Sequence, residues 1–262
     1  MSIGSLGVVP QQSLIVAGGP PPLPSLPGDA NITHWFKADR DLFSDAGTTP
    51  VVADDPVYQW GNQGSETTDH AIQATEANRP VYRTGGLNGQ AYLDCGADTD
   101  QLFFSDLNPS HNGGITSLPL HRTFAFVIDA YDNTRTNNPL LDGTGGTNGK
   151  FLWHLRPSAG NVRFFKSQVA LGVLEEPMII VTSVASTTSF RCMINGTYST
   201  QSQSSNASSA DPTSMQFLRS TGLGEYFDGH IYEAILWGGG QVLSEANMTT
   251  VSDTLNAVYG IY

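Results

Sequence analysis

From residue 30 onward, apolar and polar positions alternate in short runs separated by Gly, Pro, Asn and Ser, the pattern of half-buried β-strands joined by turns. Residues 123–131 place Phe124, Phe126 and Ile128 on one face, and residues 189–195 place Phe190, Cys192 and Ile194 on one face. Residues 178–184 are continuously apolar or β-branched, which predicts a strand buried on both sides. Asn195-Gly196 then predicts a type I′ hairpin turn into residues 197–200. A second hairpin is expected from 150–156 to 162–166, around Ser158-Ala159-Gly160-Asn161. Further strands are expected at 34–39, 57–60, 79–83, 91–95, 101–104, 215–219 and 230–237. Only one segment has helical spacing. Ser244 caps it, Glu245 suits its positive end, Met248, Val251, Leu255 and Val258 share a stripe, and Gly260 stops it. About a dozen short strands and one terminal helix predict an all-β fold, a two-sheet antiparallel jelly-roll sandwich with a short C-terminal helix.

Residues 1–28 break this pattern. They carry no charged side chain and end in a Pro-rich run from Gly18 to Gly28, which favours extended polyproline II and cannot join a sheet centre. The segment is read as an extended N-terminal arm, with the sandwich domain occupying residues 29–262. Pro10, Gln11 and Gln12 interrupt the only apolar run near the start and no positive n-region precedes it, so no signal peptide is expected.

Composition narrows the partners. The formal net charge is −12, which opposes phosphate backbones and anionic lipid, so neither nucleic acid nor membrane insertion is expected. Charged residues make up only 14% of the chain, below the usual ~25%, and Gly and Pro are plentiful, as many tight turns require. The two cysteines, Cys95 and Cys192, both lie in apolar runs. They are expected as buried thiols, and spacing alone leaves their pairing open.

The chain carries the marks of a known family. His34-Trp35-Phe36-Lys37-Ala38-Asp39 resembles the "W-x-K-A-D" opening of laminin-G-like, concanavalin A-like sandwich domains, and Val57-Tyr58-Gln59-Trp60-Gly61-Asn62-Gln63-Gly64 resembles their next element, "V-x-x-W-x-D-x-S-G". The similarity continues through His70–Thr75, Arg79-Pro80 and Gly86-Leu87-Asn88-Gly89. It closes with Phe227–Trp237, Leu243-Ser244 and the end Tyr259-Gly260-Ile261-Tyr262. Such domains occur in lectins, adhesion modules, glycosidases and the virion proteins of bacteriophages. The resemblance speaks for fold more than for function. It implies rim-loop carboxylates as sites for sugar or calcium. Asp39, Asp41 and Asp45 form one candidate set and Asp94, Asp98 and Asp100 another, since clustered oxygen ligands suit a hard cation. Neither has an EF-hand pattern, and solvated turn carboxylates are the simpler reading. Calcium is the one cofactor these residues would take, and no other is expected.

Catalytic signatures are absent from the sequence. Glycosidases need two carboxyl groups about 5–10 Å apart. The "E-x-D-x-E" strand of this fold's glucanases does not occur, and Glu175-Glu176 falls in a turn before Pro177. Glu233 lies within an apolar strand, and the resemblance implies that it satisfies a structural hydrogen bond, as a Glu at that place does in non-catalytic members. His34, His70, His111, His121, His154 and His230 show no metal or hydrolase spacing, and residues 143–150 lack the phosphate-loop spacing. Trp35, Trp60, Trp153 and Trp237 read as core, leaving Tyr131, Tyr198 and Tyr226 as candidate sugar platforms near loops.

These readings favour a non-catalytic structural or recognition subunit of a bacteriophage particle, a head decoration or a tail or fibre protein. It would be oligomeric in the assembly, docking on other virion subunits through residues 1–28 and displaying its rim loops toward host surface glycans. The alternatives are a stand-alone carbohydrate-binding lectin, secreted or at a cell surface, and a glycoside hydrolase or lyase of the same fold.

Overall fold

The computed structural model describes residues 22–96, 102–104, 123–129, 138–144, 151–156, 161–164, 167–170, 177–186, 189–202, 214–220 and 225–262. The first strands are β1 (Ile32–Lys37), β2 (Leu42–Phe43), β3 (Gln59–Trp60), β4 (Ala71–Ile72), β5 (Val81–Arg83), β6 (Tyr92–Asp94) and β7 (Leu102–Phe104). The middle of the chain gives β8 (Thr123–Asp129), β9 (Asn138–Thr144), β10 (Phe151–Arg156), β11 (Asn161–Phe164) and β12 (Ser167–Ala170). Then come β13 (Met178–Ser186), β14 (Ser189–Ile194), β15 (Thr197–Ser202), β16 (Ser214–Phe217), β17 (Arg219–Ser220), β18 (Glu225–Tyr226) and β19 (His230–Trp237). The helix α1 spans Glu245–Tyr259.

The strands form two large antiparallel sheets, as the alternation predicts. Sheet A runs β15-β14-β13-β8-β19-β6-β5, with β1 also paired to β19. Sheet B runs β12-β11-β10-β9-β16-β7-β4-β3-β2. Both expected hairpins form. Ile194 faces Thr197 across Asn195 (φ 45°) and Gly196 (φ 75°), the positive dihedrals a type I′ turn demands. Arg156 faces Asn161 across the second turn.

Between the sheets lies one core, in which Phe124, Phe126, Ile128, Ile180, Phe190, Ile231, Ala234 and Leu236 of sheet A meet Leu42, Trp60, Ala71, Leu141, Leu155 and Phe217 of sheet B. Cys95 and Cys192 are both buried in that core as thiols rather than a disulfide, and burial raises the Cys192 thiol pKa.

Sheet A has a second buried face. Trp35, Ala125, Val127, Ile179, Val181, Met193, Ile235 and Trp237 pack beneath Met248, Val251, Leu255 and Tyr259 of α1. This is why residues 178–184 show no polar alternation: even and odd positions both meet apolar cover. The helix ends as the sequence predicts, with Ser244 accepting from the Asn247 N–H at 3.2 Å and Gly260 in the left-handed region at φ 63°.

A bulge lies in β19 between Ile231 and Glu233. Strict alternation would send Glu233 inward with Ile231. The extra residue instead leaves Tyr232 and Glu233 both on the helix side, and Ala234 and Leu236 return to the inter-sheet core.

The described end of the Pro-rich segment is docked. Leu26 is 4% exposed within the helix-side cluster, and Trp237 donates from Nε1 to the Pro27 carbonyl at 3.0 Å. Asp29 caps this turn, accepting from the Leu26 N–H and the Ser25 hydroxyl, both at 2.6 Å. Residues 1–21 lie outside the described residues.

Candidate functional site

The edge of sheet B carries a surface groove of about 550 Å³, lined by Asp41, Phe43, Ala46, Gly47, Gln59, Gly61, Asn62, Thr67 and His70. Strand register explains its floor. Leu42 pairs with Trp60 and Trp60 with Ala71, all three turned into the core. Their neighbours Phe43 and Gln59, also paired, therefore share the opposite, outer face.

The walls come from two tight loops. Asp41 sits at positive φ (52°) and its carbonyl accepts from the Gly61 N–H at 2.7 Å. A Cβ at Gly61 would stand 2.6 Å from the Asp41 Cβ, so only glycine permits this approach. A Cβ at Gly64 would collide with the Thr33 carbonyl. Asn62 between them is fully engaged. Its Oδ1 accepts from the backbone N–H of Trp35 and of Gly64, both at 2.8 Å, and its Nδ2 donates to the carbonyls of Thr33 and Glu66 at 3.0 and 2.6 Å. The Trp60-Gly61-Asn62-Gln63-Gly64 run is thus a clasp that fixes the groove wall against β1.

Several lining groups retain bonding capacity. Asp41 Oδ2 accepts from Gln63 Nε2 at 2.5 Å, leaving Oδ1 without a partner among the described residues. His70 accepts the Asn62 N–H through Nδ1 at 3.2 Å, which assigns the ring proton of the neutral imidazole to Nε2 as a donor. The Gln59 amide and the Thr67 hydroxyl have no hydrogen-bond partner among the described residues, and Phe43 is a half-buried ring beside them. The groove therefore offers one carboxylate, donors of three kinds and an apolar plane.

The expected metal ligands do not form a common set. Asp39 takes Lys37 Nζ at 2.5 Å and Arg40 Nε at 3.1 Å. Burial pushes its carboxyl up, but the hydrogen bonds and charges of Lys37 and Arg40 outweigh burial and hold it below the usual range. Asp45 closes its own loop, accepting from Thr48 N–H at 2.8 Å, Thr49 N–H at 2.9 Å and the Thr49 hydroxyl at 2.6 Å, and these bonds lower its pKa. Asp94 pairs with Arg83 Nε at 3.2 Å, and Asp98 and Asp100 lie outside the described residues. Among the described residues no three His, Cys, Asp or Glu side chains stand together as a metal site.

Of the candidate platforms, Tyr131 lies outside the described residues. Tyr198 packs against the helix-side cluster, and Tyr226 is half-buried in β18. Neither lines the groove. Trp35, Trp60 and Trp237 are core, as the sequence suggests, while the Trp153 side chain is outside the described set.

Glu233 has the structural role read from the sequence. It is 1% exposed and accepts from Trp35 Nε1 at 2.5 Å and from the Tyr259 hydroxyl at 2.6 Å. Burial raises its pKa, opposed by these bonds from Tyr259 and Trp35. The sequence did not reveal the groove itself, nor the buried pair of His34 Nε2 and Asp69 Oδ2, 3.7 Å apart and each 2% exposed.

No protein-family model matches the chain, and no curated protein sequence matches it significantly. Solved structures share its fold. A mutant Trypanosoma rangeli sialidase displaying trans-sialidase activity superposes with a TM-score of 0.57 at 12% identity, over 87% of this chain and 34% of that one. The same sialidase in complex with a difluoro-KDN gives 0.52 at 14% identity, over 96% and 36%. The Ruminococcus gnavus IT-sialidase CBM40 bound to α2,3 sialyllactose gives 0.47 at 15% identity, over 62% and 95%. The chain spans about a third of the length of the sialidase chains, and the likeness at these identities is one of fold.

Proposed function

We propose that this domain is a carbohydrate-binding β-sandwich that acts by recognition, without turnover. The observation that carries this reading is the groove at the edge of sheet B. Its size falls within the ~300–1,000 Å³ of small-ligand sites, and it combines hydrogen-bonding groups left open with an aromatic plane, held by a rigid clasp. Sugars present the matching surface of many hydroxyls around an apolar face. The fold likeness to a sialidase, one structure of which is in complex with sialic acid, lies in the same area of chemistry.

Two facts support binding without turnover. Glu233, the carboxylate buried in an apolar strand, is held beneath α1 by Trp35 and Tyr259. The described lining of the groove has a single carboxylate, Asp41, where glycoside hydrolysis ordinarily uses two. The virion-subunit reading keeps the sequence resemblance as its support, but the solved structures named above are not virion proteins. Docking of residues 22–28 on their own domain would leave contact with a neighbouring subunit to residues 1–21.

Screening the full chain against a broad immobilised glycan set tests the proposal. Selective retention on a group of related glycans is expected, with no product released on prolonged incubation. Uniform failure to bind would overturn the reading, and release of a cleaved sugar would overturn its non-catalytic part.

A further inference from the structure

Resting on that reading, we infer that the groove selects neutral sugars, using Asp41 to accept from sugar hydroxyls, and discriminates against sialylated and other carboxylated glycans. The chemistry of the lining carries the inference. A carboxylate oxygen accepts strongly from a hydroxyl, and Asp41 Oδ1 is exposed and without a partner among the described residues. Opposite bonding roles surround it: His70 donates through Nε2, and the Gln59 amide both donates and accepts. Each hydroxyl of a sugar is itself a donor and an acceptor, so this mixture fits it without leaving a charge unmatched.

A carboxylated sugar would need a cation in the same place. The described lining has no lysine or arginine. The cations closest in sequence, Lys37 and Arg40, both bond Asp39. Asp41 would face the ligand carboxylate within a chain whose net charge is −12, a like-charge repulsion that no lysine or arginine of the described lining offsets. The Asp41 backbone is fixed by the bond from the Gly61 N–H to its carbonyl, and turning its carboxylate aside would break the bond from Gln63.

The test uses the full chain and saturation-transfer NMR with lactose, maltotriose, N-acetylchitotriose and mannotriose as neutral probes, and 3′-sialyllactose and a galacturonate trimer as anionic ones. Asp41→Asn suits the positive φ and keeps an acceptor for Gln63, and Phe43→Ala removes the ring. At least one neutral probe is expected to bind, to weaken about tenfold or more in Asp41→Asn, and to weaken again in Phe43→Ala, while the anionic probes stay unbound. Preferential binding of an anionic probe overturns the inference and leaves glycan recognition standing. Neutral binding unchanged in both variants also overturns it, because the sugar site then lies elsewhere. Silence across all six probes, with folding of the wild type verified by circular dichroism, counts against the inference and the proposed function together.

Discussion

The outer face of sheet A is built mainly of apolar residues and the outer edge of sheet B mainly of polar residues and glycine, and they end in opposite states. On sheet A, α1 and residues 22–28 cover an apolar face, and the polar groups within it find partners: Glu233 with Trp35 and Tyr259, and Trp237 with Pro27. At the edge of sheet B, three strands of two residues each leave Asp41, Thr67 and His70 around Phe43 with bonding capacity left over, beside the largely buried Gln59. Polar groups enclosed without partners are costly, so a closed face must satisfy them. An open face keeps them solvated at little cost and available to a ligand. The contrast separates what holds the fold from what can recognise something.

The sharpest way to break the closed side is Glu233→Ala. It leaves Trp35 Nε1 and the Tyr259 hydroxyl buried without their acceptor and removes the hydrogen bond from α1 to β19. A loss of about 3–5 kcal/mol is expected in denaturant unfolding, with any sugar binding falling only as the fold falls. Next comes removal of residues 1–28, so that the chain begins at Asp29. This deletes the Leu26 side chain and the Pro27 carbonyl that Trp237 uses, at a cost of about 2–3 kcal/mol.

At the open edge, Gly61→Ala forces a Cβ against Asp41 and is expected to cost about 1–3 kcal/mol while displacing the groove wall. The unfolding midpoint reports the first effect and loss of sugar binding reports the second. A pH series probes the closed side again. The Glu233 carboxyl is raised in the folded chain, so its contribution falls as pH rises from the unfolded carboxylate value through the raised folded one, and stays low above it. Glu233→Gln lacks this titration. The wild type should therefore gain stability relative to Glu233→Gln as the pH is lowered from about 7 to about 4, as read by paired thermal melts. The smallest stability effect is expected for Asp41→Asn, within about 0.5 kcal/mol of wild type, because the residue is exposed.

Legibility in the sequence follows the same division. Features set by local backbone chemistry were readable: the Asn195-Gly196 turn, the Ser244 cap, the Gly260 stop and the alternation of β8 and β14. Glu233 was readable as structural through the family resemblance, in which a Glu at that place satisfies a structural hydrogen bond. Its partners were not, since the bulge that turns it toward α1 leaves no mark in the hydrophobic pattern. The groove escaped for a related reason. Its lining comes from residues 41–47, 59–62 and 67–70, and strands of two residues are too short to show a period. Of the first cation set read from the sequence, Asp39, Asp41 and Asp45, Asp39 is held by Lys37 and Arg40 and Asp45 by Thr48 and Thr49. Asp41 differs from them only in what the fold places beside it.

The central claim is that the edge of sheet B, and not the covered face of sheet A, is the recognition surface. The most direct measurement is amide chemical-shift mapping of the full chain during titration with the neutral oligosaccharide that binds best. The account expects the perturbed amides to cluster at Asp41, Phe43, Gly47, Gln59, Thr67 and His70. Perturbations centred on α1 and residues 22–31, with the edge of sheet B silent, would contradict it.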